Sequence, residues 1–559
     1  MASSEKGWSL VAAEKRFAIL QSLPAEWKVV LEDRSSLKDV TGPYIEKFLD
    51  VEEILITNSD AVTILENVAN ATWTARQVTK AFCHRAALAH QMTNCLHEMC
   101  WESAMAEAER LDNYFERHKT TVGPLHGLPI SMKDQFHIKG TESTLGYVGW
   151  IGTFEGKRQT ETSQSFESFI VQILRSYGAI FFCKTSVTQA LMSGETANNI
   201  IGYTFNPKNR NLSAGGSSGG EGALMALRGS PVGFGSDIGG SIRVPAAFNG
   251  LYGIRPSVGR LPYRGVPISM DGQESIPCVI GPMATTIRSL KLMFQTVLRS
   301  EPWSGDPMVL ELPWRQQHEH QTWAACHSQS SASNLTIGIF RHDGVVGVDP
   351  PVQRALDMME SALRREGHNY ETWMFDGGQD IHHNLGISGE PIVPQLEMAF
   401  GSTPGTQKNA SEIAAINVKL REYRTRYFDY WNSTSNLSPS GRPADAFISA
   451  IAPFAAPLPQ QYTHNAYSTT INVLDYTATV LPVTTVDQEI DVIDTQYQPL
   501  TKKDRLRHEN YDPELYHGAH VGLQIVTQRL QEEKAVVLTE YLDSLLKGDY
   551  STAMGDQAA

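Results

Sequence analysis

What this chain lacks removes most classes of function before any residue is given a role. It has six cysteines in 559 residues, at 83, 95, 100, 183, 278 and 326, and no two of them form a C-x-x-C pair. That excludes a disulfide scaffold and a paired zinc-finger site as readings. The nearest approach to a ligand cluster, Cys95 with His97 and Cys100, has no matching second half, so it reads with Cys83 as packed groups in a helical pattern. H-E-x-x-H is also missing, and neither a metal nor any other cofactor is expected. No run of about 18 apolar residues occurs, so no transmembrane segment is expected. Positive charge is short as well: 47 Lys and Arg against 61 Asp and Glu leave a formal charge of −14. Phosphate binding needs a basic face, so nucleic acid is not an expected partner. Met1 to Lys15 carries Glu5, Lys6, Glu14 and Lys15 without an apolar core of signal-peptide length. A reducing, cytoplasmic compartment is the expectation.

What is present is a large core and a regular alternation. Apolar residues make up 41% of the chain, and Ala61, Ile64, Leu65 and Val68 recur at the helical spacing i, i+3, i+4, i+7. Thr74 with Gln77 spells a capping box for a helix through Val78, Phe82 and Ala86. Another amphipathic helix is expected from about Ala104 to His118. Strand and helix then alternate: Leu128 to Met132, a helix from about Ser165 to Tyr177, and the strand Ala179 to Cys183. This is the pattern of an α/β domain with a largely buried sheet. Further on, the pattern predicts a loop at His327 to Asn334, a strand from Leu335 to Phe340, a helix from about Val352 to Arg365, a loop at Gly401 to Asn409, and a buried strand from Val521 to Val526. No internal repeat and no long low-complexity linker is found, so one large domain is preferred.

The densest chemistry lies between Gly215 and Ser257, where serines and one arginine stand among paired glycines. A Walker loop would need Gly-Lys-Ser/Thr and has no lysine here; the dinucleotide fingerprint is broken at Ile238 after Gly233 and Gly235. Gly215-Gly216-Ser217-Ser218-Gly219 fits G-x-S-x-G, but it follows the polar run Asn206 to Asn211, whereas a nucleophile elbow follows a buried strand. The second segment suits a nucleophile better. Pro231 to Gly235 reads as a short buried strand, Ser236 to Gly240 as a tight loop, and Ser241 as the residue at its exit. The amides of Ile238, Gly239, Gly240 and Ser241 are then candidate oxyanion donors. Asp237 and Arg243 flank the loop and read as an ion pair that fixes it, because charges beside a buried strand are costly unless paired. A base for the hydroxyl is offered by Lys133, at the end of Gly127-Leu128-Pro129-Ile130-Ser131-Met132-Lys133-Asp134. To act near neutral pH its pKa must fall well below the ordinary value of about 10.4, a shift that burial can supply.

Lys133 in that setting, Ser217 in Gly-Gly-Ser-Ser-Gly-Gly and Ser241 in Gly-Ser-Asp-Ile-Gly-Gly-Ser-Ile-Arg together resemble the amidase signature family, and the two serines stand at the family's spacing of 24 positions. The likeness runs from about Trp27 to Ala519 and is nearest to the fungal acetamidases, with the fatty acid amide hydrolases more distant. The resemblance implies a twisted mixed sheet covered by helices on both faces, in a catalytic domain over 58–545, after an amino-terminal arm with helices over 1–57 and before a flexible tail over 546–559. It also implies roles. Ser241 is the acylated nucleophile, Ser217 the bridging serine on a cis peptide, and Lys133 the base. Leu191 and Met192, in the segment Gln189 to Gly194, are candidates for the wall facing the acyl group. With Ser217, Ile238, Gly239, Gly240 and Ser241 they complete the expected substrate-binding set. Histidine has no part in such a mechanism, so His126, His137 and His517 read as structural. The implied partner is a small-molecule amide, and the reading is compatible with a homodimer. Two alternatives stay open: a biosynthetic tailoring amidase or esterase on a larger substrate, and the glutamine-hydrolysing subunit of an amidotransferase. The pocket lid is expected from residues 300–472.

Overall fold

Twelve strands form among the residues that the computed structural model describes, which are 7–34, 36–157, 165–327, 335–360, 379–438 and 440–547. They are β1 (Leu96–Met99), β2 (Pro129–Lys133), β3 (Ile180–Thr185), β4 (Ala197–Asn198), β5 (Gly202–Tyr203), β6 (Val232–Asp237), β7 (Tyr252–Arg255), β8 (Val279–Ala284), β9 (Ile337–Phe340), β10 (Ala446–Ala450), β11 (Thr477–Thr485) and β12 (His520–Thr527). β4 and β5 pair with each other, and the other ten make one sheet in the order β1-β3-β2-β6-β8-β7-β11-β12-β10-β9. The sheet is mixed. β3, β2 and β6 run parallel at its centre-left, β9 runs parallel to β10, and the remaining neighbours are antiparallel. Every residue of β2, β3 and β6 is buried, as parallel strands covered on both faces require.

Helices cover the sheet. Thr74 caps the helix Ala75–Thr93 by accepting from the Gln77 amide, while Gln77 returns the bond to the Thr74 amide at 2.9 Å, and the box read in the sequence is complete. The helix Ala61–Ala69 buries Ala61, Ile64 and Val68. The helix Trp8–Gln21 of the amino-terminal arm lays Ala12 and Ile19 against Val148, Ile200 and Ile201, and its Lys15 pairs with Glu98 and Glu142.

Several sequence expectations are corrected. The helix Ala75–Thr93 ends at Asn94, which is left-handed (φ 60). Cys95, His97 and Cys100 therefore lie before, within and after β1 and not on a helix, although all are buried as expected. The helix expected from Ser165 starts at Phe169, after Ser168, whose backbone is not helical (φ −57, ψ 143) and whose hydroxyl donates to the Gly265 carbonyl at 2.7 Å and accepts from the His137 amide at 2.9 Å. The strand expected to stop at Gly235 continues through Asp237, held by β8 to the Asp237–Val279 pair. The helix read as Val352 to Arg365 is seen over Pro350–Glu360. Its remainder, residues 328–334 of the predicted loop, and residues 548–559 of the tail lie outside the described residues. Among the described residues, no helix is long and apolar enough to cross a membrane.

Candidate active site

The parallel pair β2 and β6 ends on one side of the sheet, and that geometry gathers the site. Lys133 closes β2 and Ser236 with Asp237 closes β6. The chain then turns through Ile238 to Ile242 into the helix Arg243–Phe248, carrying Ser241 in the turn. Ser217 sits in the loop ahead of the helix Gly219–Ala226, and the Gly216–Ser217 peptide is cis. This loop can lie against its neighbour only because residue 216 has no side chain: a Cβ there would stand 2.6 Å from the Ser193 carbonyl oxygen and 2.7 Å from the Glu195 amide. The Ser218 amide donates to the Ser241 carbonyl at 3.3 Å, so the two serine segments touch.

Lys133 Nζ lies 2.8 Å from Ser217 Oγ and 2.9 Å from Ser236 Oγ. Exposure rises along the series, from 0% at Lys133 to 1% at Ser217 and 8% at Ser241; the lysine is sealed, and of the three Ser241 is the most open to solvent. Burial pushes the Lys133 pKa down to about 8, against the opposing pull of Cys278, Asp237 and Glu221. A second lysine gives the contrast. Lys184 on β3 is equally buried but has the Asp134 carboxylate at 3.4 Å, whereas among the described residues no carboxylate is within ion-pair distance of Lys133. No hydrogen bond joins the Ser217 and Ser241 hydroxyls among the described residues; contacts of this kind commonly tighten only when substrate is bound.

Asp237 and Arg243 are both fully buried and form the expected pair, with Arg243 Nη2 3.0 Å from Asp237 Oδ1 and Nε 3.1 Å from Oδ2. Burial alone would raise the Asp237 pKa, but Arg243's charge and hydrogen bonds, with a bond from Asn472, outweigh it and hold the carboxyl well below the usual range. Arg243 also donates to the Ser468 carbonyl and to Gln524 Oε1, while Asn472 Nδ2 reaches Asp237 Oδ1 at 2.8 Å. The Gly240 amide donates to Asp237 Oδ1 at 2.8 Å, which corrects the expectation of four free oxyanion donors. The carboxylate caps the turn that follows its own strand, leaving Ile238, Gly239 and Ser241 with amides that have no acceptor among the described residues. Gly240 has φ +125, and a Cβ there would be 2.6 Å from Ser468 Oγ, so no other residue fits that turn without displacing the helix Ala466–Leu474. Arg243→Ala is expected to destabilise the protein by about 3–5 kcal/mol, because it strands a buried carboxylate. Calorimetry checks this; a loss under about 1 kcal/mol would mean the pair does not hold the loop.

Leu191 and Met192 belong to an apolar cluster with Leu145, Tyr147, Ile381, Leu385 and Phe400. Residues of 379–400, inside the span expected to supply the lid, thus pack against the segment expected to face the acyl group. Ala190 and Leu191 are both left-handed, at φ 61 and 65, a conformation that costs non-glycine residues about 1–3 kcal/mol each. A clasp holds them: Gln189 Nε2 and Asn199 Nδ2 donate to Glu390 Oε2 at 2.9 and 2.8 Å, and the Val393 amide donates to Gln189 Oε1 at 2.9 Å.

Sequence reasoning read Ser236 only as a loop residue of the Ser241 motif, and it missed Gln135, Ser468, Asn472, Gln524 and Glu390, polar residues outside the quoted motifs. It also missed Glu221, fully buried behind the site, which accepts from Ser131 Oγ and Thr185 Oγ1 and whose pKa burial pushes up to about 8. His126, His137 and His517 have structural partners, the Val122 amide, Glu155 and the Gln488 amide. Among the described residues, no group of three or more His, Cys, Asp or Glu side chains is placed to hold a metal ion.

The sequence profile of the family described as Amidase matches residues 77–385 and 390–536. The chain is 43% identical to an acetamidase of Aspergillus oryzae, over 96% of this chain and 99% of that one. It is 39% identical to an acetamidase of Emericella nidulans, over 97% and 98%. A solved structure of fatty acid amide hydrolase superposes with a TM-score of 0.84 at 31% identity, covering 97% of this chain and 95% of the other.

Proposed function

This chain belongs to the amidase family and is an amide hydrolase, and from that premise we propose that it cleaves a short, acetamide-like carboxylic amide through an acyl-enzyme on Ser241. Neutral Lys133 takes the Ser217 proton, Ser217 takes that of Ser241, and Ser241 Oγ attacks the carbonyl carbon. The oxyanion accepts from the free amides of the turn, of which Ile238, Gly239 and Ser241 are the candidates. As the tetrahedral intermediate collapses, the proton returns through Ser217 to the departing nitrogen, and ammonia or an amine leaves. Water then repeats the cycle on the ester and releases the carboxylate.

The observation that carries this reading is a lysine sealed between two hydroxyls with no carboxylate at ion-pair distance among the described residues. Burial brings the titration of such a group down toward neutral pH, so that a share of it is the proton-accepting amine, whereas a structural lysine is paired as Lys184 is. The short acyl group is favoured by the acetamidases that match nearly the full chain.

An acyl-enzyme has one fate whatever group it came from. With hydroxylamine present, an amide and an ester of the same acid are therefore expected to give the same ratio of hydroxamate to acid, read by chromatography. Ratios that differ with the leaving group, or no hydroxamate at all, would reject the covalent intermediate. A series from acetamide to aryl and long-chain amides, run alongside, is expected to favour the short acyl end. A preference of more than about tenfold for long chains would reject the acetamide-like substrate and leave the acyl-enzyme standing.

A further inference from the structure

The hydrogen bonds around Gln135 have a forced direction, and that direction reaches the base. Gln135 is fully buried. Its Nε2 lies 2.7 Å from the Pro267 carbonyl oxygen and 2.7 Å from Tyr263 Oη. A carbonyl only accepts, so the amide nitrogen must be the atom facing Pro267; turned over, the side chain would set two oxygens 2.7 Å apart. Gln135 Oε1 therefore faces Ser236 Oγ, at 2.6 Å. An amide oxygen cannot donate either, so the Ser236 proton is committed to Gln135. Ser236 Oγ then meets Lys133 Nζ, at 2.9 Å, as an acceptor alone.

A neutral amine has two N–H groups and one lone pair. With one N–H given to Ser236, the lone pair remains for the other hydroxyl in contact, Ser217 Oγ at 2.8 Å. We propose that Gln135 is a positioning residue for the reaction: by holding the Ser236 proton, it stops Ser236 from capturing the lone pair of Lys133 and aims that lone pair at Ser217. Gln135 touches no reacting atom. Its effect passes through Ser236, and the inference rests on Lys133 acting as the base as described above.

A double-mutant cycle separates this role from a structural one, because Gln135 also braces the loop at Tyr263 and Pro267. Gln135→Met keeps the volume and removes both the acceptor and the donors. In the wild-type background it is expected to lower kcat for a good amide about tenfold, the worth of one misdirected hydrogen bond, with KM little changed. In the Ser236→Ala background no competing hydroxyl remains, so the same substitution is expected to change kcat less than about twofold. An equal loss in both backgrounds assigns Gln135 to loop bracing and overturns the proposal, as does no loss in either. If Gln135→Met does not fold, Gln135→Asn, which keeps both polar groups on a shorter arm, is put through the same cycle and read by the same rule. Lys133→Ala is assayed in parallel. An unchanged amide rate there would remove the base and this inference together, while a lost rate with an additive cycle removes the inference alone.

Discussion

Lys133→Ala is expected to lower kcat/KM for an amide about 10³- to 10⁴-fold, the upper range for one proton-transferring group, and to cost the matching activated ester about 10- to 100-fold less. The asymmetry follows from the leaving group. An amide nitrogen must be protonated to depart, and in the proposed relay the proton it needs is the one that Lys133 draws off through Ser217, whereas an activated alkoxide leaves unaided. In the wild type the working form is the neutral amine. Burial places the Lys133 pKa at about 8, so the neutral fraction grows as pH rises, and kcat/KM for the amide is expected to climb through about pH 8 and then level off. The alanine variant is expected to lose that limb. Equal losses for amide and ester would deny Lys133 its part in protonating the leaving group. Because the substitution opens space in a sealed site, circular dichroism and the melting temperature accompany the kinetics.

Ser241→Ala is expected to remove amide and ester hydrolysis alike, by about 10⁴-fold or more, as when a nucleophile that acts as one unit with its base is deleted. Here the leaving group makes no difference, since neither substrate is attacked without the hydroxyl. Folding is expected to be little affected: Ser241 is the most exposed of the three, at 8%, and its hydroxyl makes no hydrogen bond among the described residues. The two variants therefore differ in pattern as well as size. Lys133→Ala separates amide from ester, and Ser241→Ala does not.

Legibility in the sequence follows the range of the interaction. Lys133, Ser217 and Ser241 are legible because each stands in a run of glycines and apolar residues that packing alone does not call for. β2, β3 and β12 are legible within a residue or two as apolar runs. The order of the ten strands is not, because β11, which pairs with the nearby β12, also pairs with β7 across more than two hundred residues of chain. Nor is the support of the site. Ser468 and Asn472, one turn apart on the helix Ala466–Leu474, look in sequence like any surface polar pair, yet both meet Arg243. Asp237 is legible as a partner for Arg243 but not as the acceptor that occupies the Gly240 amide, since strand length decides where the capping carboxylate falls and β6 runs two residues past its apolar stretch. Ser236 is read there as part of a loop, and in the strand it becomes a ligand of Lys133.

The central claim is that Ser241 carries the acyl group, and intact-mass analysis after treatment with a fluorophosphonate tests it most directly. One adduct is predicted, on the peptide containing Ser241, formed with loss of amide hydrolysis and absent from Ser241→Ala. An adduct that persists in Ser241→Ala, or a fully inactivated enzyme with no adduct, would contradict the account.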